Sequence, residues 1–370
     1  MSSFVNYFNE LEDPRSGNAT RHKFYDILSI SLFCALCGGE TATDMMDFGH
    51  AKEEFLREFL DLPHGIPCHY TFSRVFRLMN PEAFAAFFEK FRRDIDQSLR
   101  AEGKETQAIA IDGKVMRRSF DKAAGQSALN VITAFAHDTR LSLGIETGGK
   151  GGAEIIALRE LVQRLDIKGQ IITADALHCQ RETCETIVEQ GGDYCLQLKG
   201  NQGDMQDDVR AVFADQSIDK IDEDTSVDAD HGRIETRSVH LYEVPDYIHQ
   251  THDWPALKAL VQVISTREIK GETTTATHTY LMSKELSAKE TAAIIRGHWR
   301  IENNLHWSLD VVMGDDQHRA RKGNAALNFA ALRRIALNII KANEEKGSNR
   351  LKFKRAGWNH DFLRSLVNDF

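Results

Sequence analysis

Between residues 107 and 198, short apolar runs alternate with amphipathic stretches, and two of these runs lead directly to an acid. Residues 107–111 (QAIAI) precede Asp112, and residues 170–173 (QIIT) are followed two positions later by Asp175. Apolar runs of this length are typical of strands that are buried on both faces. The order of runs and stretches predicts β-β-β-α-β-α-β, and therefore an α/β fold.

The remaining elements of this region follow the same two periodicities. We predict strands at residues 129–136, 141–147 and 194–198, and helices at residues 153–165 and 181–189. This is the element order of a ribonuclease-H-like fold, in which the first and fourth strands are parallel neighbours. Asp112 and Asp175, each expected at the C-terminal end of its strand, are then predicted to lie side by side.

The flanking regions have other patterns. Asn80, Pro81 and Glu82 form a helix-start signal, and phenylalanines then recur at helical spacing, which predicts an all-α N-terminal module. A polar segment near residue 103 marks the boundary. Residues 206–285 are predicted to be a β-rich insertion, and a last helix is expected from about residue 288 past residue 310. The predicted division is residues 1–100, 105–205, 206–286, 287–342 and a basic tail at 343–370.

Three acids carry the predicted chemistry. Two-metal phosphoryl transfer needs carboxylates that converge on two divalent cations about 3.5–4 Å apart. Asp112 and Asp175 at strand ends and Glu302 on the last helix meet this demand. A single strand-end aspartate is more often a turn residue, but the joint placement of three acids favours a metal site.

Charge and composition limit the class of protein. The net charge of -9 and the pI near 5.9 argue against a protein that binds along DNA through its overall charge. Residues 317–370, however, hold twelve basic and four acidic residues, a net +8. This segment is either a phosphate-binding surface or a solvated helical face. The six cysteines are scattered, and residues 27–36 are too short to span a membrane, so we expect a cytoplasmic protein without disulfides.

Motifs along nearly the whole chain resemble one known family. They are, in order, Asp13-Pro14-Arg15, residues 71–76 (TFSRVF), residues 109–114 (IAIDGK), residues 173–176 (TADA), residues 192–194 (GDY), residues 198–202 (LKGNQ), residues 231–235 (HGRIE), residues 298–303 (HWRIEN) and residues 305–307 (LHW). The chain is identified by this resemblance as a member of the H-repeat-associated, ISAs-type branch of bacterial insertion-sequence DDE transposases.

The resemblance implies metal-dependent DNA transposition, a form of DNA recombination, on a ribonuclease-H-like core. It places the catalytic and metal-binding roles on Asp112, Asp175 and Glu302, with Mg²⁺ as cofactor and Mn²⁺ as the alternative. The implied partners are double-stranded DNA, as element ends and as target, and further copies of the chain in a homodimer or larger complex on DNA. No membrane partner is implied, and the protein would be nucleoid-associated when bound to DNA.

We predict a set of DNA-contacting residues from these motifs and from the basic segment. They are Lys114, Lys199, Asn201, Arg233, Arg296, Arg300, Arg350, Lys352, Lys354 and Arg355. The wider class carries Tyr, Arg and Lys around its helical glutamate, whereas this chain has Ile295, His298 and Leu309 there. Arg296 and Arg300 are therefore the candidates for the cationic contact.

Several alternatives stay open from the sequence. His298, Glu302 and His306 share a helix face, which permits a zinc site, but hydrogen bonding to Glu302 or packing is favoured because further His or Cys ligands are not nearby. For Trp299 and Trp307 we favour packing over stacking on bases. The same acids also fit a hydrolysis-only nuclease, and a catalytically silent DNA-binding relic of an element is the third interpretation.

Overall fold

The computed structural model describes residue 8 and residues 10–101, 107–120, 125, 127–148, 153–230 and 233–368. Within these residues the chain is a mixed α/β structure with one large mixed sheet. The glycine-rich loop at 149–152 and the turn residues His231 and Gly232 lie outside the described residues. Among the helices that are described, none is long and apolar enough to cross a membrane.

The strands form a single sheet. In chain order they are β1 (Ala108–Met116), β2 (Leu129–Ala136), β3 (Ser142–Gly148), β4 (Ile171–Ala174), β5 (Asp193–Leu198), β6 (Lys220–Asp230), β7 (Arg233–Tyr242), β8 (Ala259–Ile269) and β9 (Glu272–Met282). Their order across the sheet is β3-β2-β1-β4-β5-β9-β8-β7-β6. The β1–β4 and β4–β5 pairs are parallel, and the other neighbours are antiparallel.

The α-helices precede, interrupt and follow the strands. They are α1 (Phe24–Leu36), α2 (Ala42–Ala51), α3 (Glu53–Leu56), α4 (His69–Leu78), α5 (Pro81–Ala101), α6 (Ala153–Arg164), α7 (Arg181–Glu189), α8 (Gly203–Ala214), α9 (Asp246–His252), α10 (Ala288–His298), α11 (Trp307–Val311), α12 (Ala325–Ala342), α13 (Asn349–Trp358) and α14 (His360–Asn368). The predicted strand at 129–136 and helix at 181–189 are confirmed to the residue.

Helix α5 begins where the sequence predicts. The Asn80 side-chain oxygen accepts hydrogen bonds from the backbone N–H groups of Glu82 (2.8 Å) and Ala83 (3.3 Å), which satisfies donors that the first helical turn leaves free. The apolar stripe of α5 packs against β3 and α12. The N-terminal helices therefore share one hydrophobic core with the first strands of the sheet and with the C-terminal helices.

Strand β1 is longer than the sequence predicts. Its apolar run predicts an end before Asp112, but the strand continues to Met116, and Asp112 pairs with Thr133 of β2. The parallel pairing with β4 stops at Ile111 opposite Ala174, whereas β2 continues to supply hydrogen bonds to the rest of β1. Asp112 and Asp175 thus each lie one residue beyond the last parallel pair.

The predicted β-rich insertion extends the same sheet. β9 pairs antiparallel with β5, and β8, β7 and β6 follow outward. Alternate residues of β7 and β8, among them Val239, Leu241, Val261 and Val263, form a second apolar cluster with Ile294 of α10. Helix α10 therefore packs across the inserted strands, which ties the insertion to the segment that carries Glu302.

The predicted continuous helix past residue 310 is broken. Helix α10 ends at His298, residues Ile301–His306 form a π-helix, and α11 follows from Trp307. In a π-helical turn each backbone hydrogen bond spans one more residue than in an α-helix. Such turns occur frequently at functional sites. Glu302 and His306 both lie in this π-helical segment, so the interruption coincides with the predicted catalytic residue.

The C-terminal segment differs from the predicted basic tail. Helices α13 and α14 cover residues 349–358 and 360–368 of this segment, and Phe353, Phe362 and Leu363 lie in the core. Arg333 and Arg334, which contribute to the net charge of +8, are buried in α12. Only part of the basic segment is therefore available to contact phosphates at the surface.

Candidate active site

Asp112 and Asp175 lie at the edge of the sheet where β4 ends. Asp112 is half-buried and Asp175 is exposed. Burial and, after it, the nearby carboxylates of Asp175 and Glu302 together raise the pKa of Asp112 to about 7. Because each carboxylate disfavours the ionisation of its neighbours, a cation that binds among them is stabilised.

The π-helical segment brings Glu302 to the same place. His306 Nδ1 lies 3.5 Å from Asp112 Oδ2 and 3.6 Å from Glu302 Oε2. The ligand atoms of Asp112, Glu302 and His306 all lie within 4.8 Å of one another. Glu302, predicted from a motif 127 residues after Asp175, thus adjoins Asp112.

Asp175 has its own set of neighbours. His298 Nε2 lies 3.9 Å from Asp175 Oδ1, and contact with this imidazole lowers the pKa of Asp175. The other ring nitrogen of His298 is 3.0 Å from the hydroxyl of buried Thr173, which is also 3.4 Å from His137 Nε2. This chain of polar contacts holds the His298 ring beside Asp175.

Gly297 allows this arrangement. A Cβ at this position would lie 2.3 Å from His137 Nδ1, which is far inside van der Waals contact. Any larger residue would displace His137 or push α10 away from the sheet. Thr173 lies in the motif at residues 173–176, but no pattern in the sequence predicts the contacts of Thr173, His137 or Gly297, because only folding brings these residues together.

Lys114, a predicted DNA contact, forms ion pairs within the protein. Its side chain is buried, and Nζ lies 2.7 Å from Asp310 Oδ1, 2.7 Å from Asp316 Oδ1 and 4.0 Å from Asp315 Oδ2. Lys114 follows Asp112 by two positions on β1 and so projects from the same face of the strand. It neutralises a second group of acids beside the first, rather than facing solvent.

A groove runs between the face of the inserted strands and the segment that carries Glu302. It has a volume of about 1130 Å³, and its basic lining residues include Arg233, Arg237, Arg267, Arg296 and Arg300. Trp299 also lines it and is 64% exposed, while Trp307 is 53% exposed. The expectation that both tryptophans pack against the protein is therefore wrong.

Within this groove the arginines differ in their partners. Arg296 pairs with Asp228, and Arg233 lies 3.3 Å from Glu235 Oε2. Arg300 donates a hydrogen bond to the carbonyl of His137 at 3.3 Å and is otherwise exposed. The groove therefore combines arginine side chains with the exposed ring of Trp299, beside the segment that carries Glu302.

The remaining predicted contacts fall in two places. Asn201 donates to the carbonyl of Ala176 at 2.8 Å, and exposed Lys199 contributes to the lowered pKa of Asp175, so both adjoin the acids. On α13, Arg350 and Lys354 are exposed.

The other two basic residues of α13 are engaged within the protein. Lys352 is buried and donates to the carbonyls of Ile340 (3.3 Å) and Asn343 (2.5 Å). Arg355 pairs with Glu345 at 2.6 Å. The four basic residues predicted on this segment therefore do not form one free surface.

The donor set fits a divalent cation. Carboxylate oxygens are the ligands that Mg²⁺ and Mn²⁺ favour, and the crowding that raises the pKa of Asp112 is relieved when a cation binds. Asp112, Asp175 and Glu302 are the residues that would hold it.

Two family matches together cover most of the chain. Residues 5–92 match the family described as "DDE_Tnp_1-associated", and residues 103–339 match the "Transposase DDE domain" family. Two proteins of Escherichia coli K12 are each 36% identical to this chain, over 99% of this chain and 98% of their own lengths. They are named "Putative protein YbfL" and "H repeat-associated putative transposase YhhI". "Putative transposase YncI" of Escherichia coli O157:H7 is 32% identical, over 99% of this chain and 95% of its own length.

Proposed function

The chain belongs to the DDE transposase family, and from this premise we propose that it cuts DNA at the ends of an insertion sequence and joins them to target DNA. The observation that carries the proposal is the convergence of Asp112, Asp175 and Glu302 at one sheet edge, where burial and the charges of Asp175 and Glu302 raise the pKa of Asp112. We propose these three residues as the catalytic, metal-binding set.

Asp112 has both other acids as charged neighbours. It would therefore hold divalent cations together with Asp175 and with Glu302, whose ligand atom lies within 4.8 Å of that of Asp112. When bound, divalent cations neutralise the phosphodiester charge and lower the pKa of an attacking hydroxyl. The protein residues hold that charge in position, and the His298 contact keeps Asp175 ionised.

We assign the five strands β1 to β5 with α6 and α7 to a ribonuclease-H-like core, in support of which β1 and β4 are parallel neighbours. The proposed division remains residues 105–205 and 287–342 for this core, 206–286 for the insertion, and 1–100 for the N-terminal module. We also propose that the protein acts as a homodimer or larger complex, since two element ends must be brought together.

DNA is proposed to lie in the groove between the inserted strands and α10. Its arginines supply charge for phosphates, and Trp299 supplies an exposed ring for stacking on a base. Lys199 and Asn201 follow β5, the strand between β4 and the inserted strands, and are proposed to extend this surface toward Asp175. Arg350 and Lys354 are proposed as additional phosphate contacts, because both are exposed.

The function is tested with the full chain, Mg²⁺ and DNA that carries the ends of the encoding element. We expect cleavage at the element ends, followed by joining of the released 3′ hydroxyl to a target plasmid. Cleavage without joining would instead identify a hydrolysis-only nuclease. Binding without cleavage in either Mg²⁺ or Mn²⁺ would identify a catalytically silent relic.

The groove is tested through the salt dependence of binding. Replacing both Arg296 and Arg300 by Ala is expected to flatten the slope of log affinity against log salt by about 0.9 for each phosphate that the variant no longer neutralises. Fluorescence anisotropy with element-end DNA over a salt series measures this slope. Lys258→Ala is the control, because this exposed lysine pairs with Glu285 and lies outside the groove. An unchanged slope in the double variant would remove the groove as the DNA surface.

A further inference from the structure

His306 is a buried polar side chain that faces the acids of the site. It is 6% exposed, its Nε2 has no hydrogen-bond partner within the described part of the chain, and its Nδ1 is directed toward Asp112 and Glu302. Nδ1 points between Asp112 Oδ2 (3.5 Å) and Glu302 Oε2 (3.6 Å). Buried imidazoles ordinarily satisfy their nitrogens, so this orientation needs a cause.

A hydrogen bond does not account for it. The two contacts are longer than the roughly 2.7–3.2 Å of a good N–H···O hydrogen bond. In the tautomer that carries its proton on Nε2, the imidazole directs the Nδ1 lone pair between the two carboxylates, which is the arrangement of a metal ligand.

The spacing fits a shared cation. Two ligand atoms that are each about 2.1 Å from one ion lie about 3.0 Å apart at a right angle and about 3.4 Å apart at a tetrahedral angle. The observed separations of 3.5 and 3.6 Å are close to the wider of these values. The π-helical segment Ile301–His306 carries both Glu302 and His306, so one local distortion positions both groups.

We propose that His306 Nδ1 is a direct ligand of the cation held between Asp112 and Glu302, which makes this half of the site a mixed nitrogen and oxygen site. The inference rests on the proposed metal-binding role of those two acids. Imidazole nitrogen favours first-row transition-metal dications over Mg²⁺, whereas an all-carboxylate site does not. This position is therefore selective for ions such as Mn²⁺, Co²⁺ or Zn²⁺ relative to Mg²⁺.

The test is pulsed electron paramagnetic resonance of Mn²⁺ bound to the full chain without DNA. A directly bound imidazole gives nitrogen modulation of the echo, and selective ¹⁵N labelling of histidine changes its frequency. We expect this signal in the wild type and in His298→Asn, and its loss in His306→Asn. Calorimetry should show that His306→Asn weakens Mn²⁺ binding by about tenfold or more, with a much smaller change for Mg²⁺.

Each outcome decides the inference. A wild-type protein that binds Mn²⁺ without a histidine nitrogen signal would overturn it, as would a signal that disappears in His298→Asn instead. Absence of Mn²⁺ binding would overturn it too. Because the wild-type spectrum alone is decisive, the inference stays testable even where His306→Asn does not fold. Cleavage of element ends in Mg²⁺, measured in parallel, reports separately on the proposed function.

Discussion

Glu302→Gln is expected to slow DNA cleavage by at least about 10²-fold while DNA binding persists, because it removes charge that holds a cation at the reacting phosphate. Glutamine keeps the size and nearly the helix propensity of glutamate, so the fold should be retained. The measurement is the single-turnover rate of cleavage at element ends in Mg²⁺, together with binding of the same DNA by anisotropy.

Two controls separate this role from a general loss of charge. Glu182→Gln makes the same change at an exposed position at the start of α7 and should leave the rate unchanged. Asp310→Asn tests the nearest competing acid, whose carboxylate is occupied by Lys114 at 2.7 Å, and should cost far less than Glu302→Gln. Near wild-type cleavage by Glu302→Gln, with cleavage abolished by Asp310→Asn, would reassign the third acid.

Asp315→Asn is expected to lower the free energy of unfolding by about 3–5 kcal/mol, since it leaves a buried arginine without its counter-charge. Asp315 is fully buried, and Oδ1 accepts a hydrogen bond from Arg333 Nη1 at 3.1 Å. Lys114, at 4.0 Å, and buried Arg334 are further positively charged neighbours of Asp315. Asparagine nearly conserves the shape of the side chain, so the loss measures charge rather than a cavity.

Urea unfolding followed by circular dichroism and by tryptophan fluorescence measures this loss, provided that the two transitions coincide. The matched control is Glu345→Gln, which breaks the largely exposed pair with Arg355 and should cost less than about 1 kcal/mol. Equal costs for the two variants would show that the Arg333–Asp315 pair does not stabilise the fold.

The carboxylate set could be predicted from the chain because each member belongs to a local pattern. Asp112 and Asp175 follow apolar runs of strand length, and Glu302 lies in a helical motif of the family. The prediction is wrong where neighbouring elements decide the outcome. β1 extends past Asp112 because β2 continues to pair with it, and the helix at Glu302 is interrupted by a π-helical turn.

The surroundings of individual lysine and arginine side chains also depend on folding. Charge and motifs predict Lys114, Lys352 and Arg355 as DNA contacts, yet each has an acid or a carbonyl as its partner in the folded chain. Arg333 and Arg334 count toward a basic surface in the sequence and are buried instead. Formal charge is a property of the sequence, but its exposure is a property of packing.

The succession of strands and helices between residues 108 and 198, the family and the three acids that we propose as the catalytic set can be predicted from the chain alone, because periodicity and motifs are carried by residues close together in it. Two features of the site came instead from the folded arrangement: His306 faces Asp112 and Glu302, and Thr173 holds His298 beside Asp175. Thr173 and His298 are 125 residues apart. Contacts over such separations depend on how the sheet and α10 pack, and burial then sets the charge state of each group.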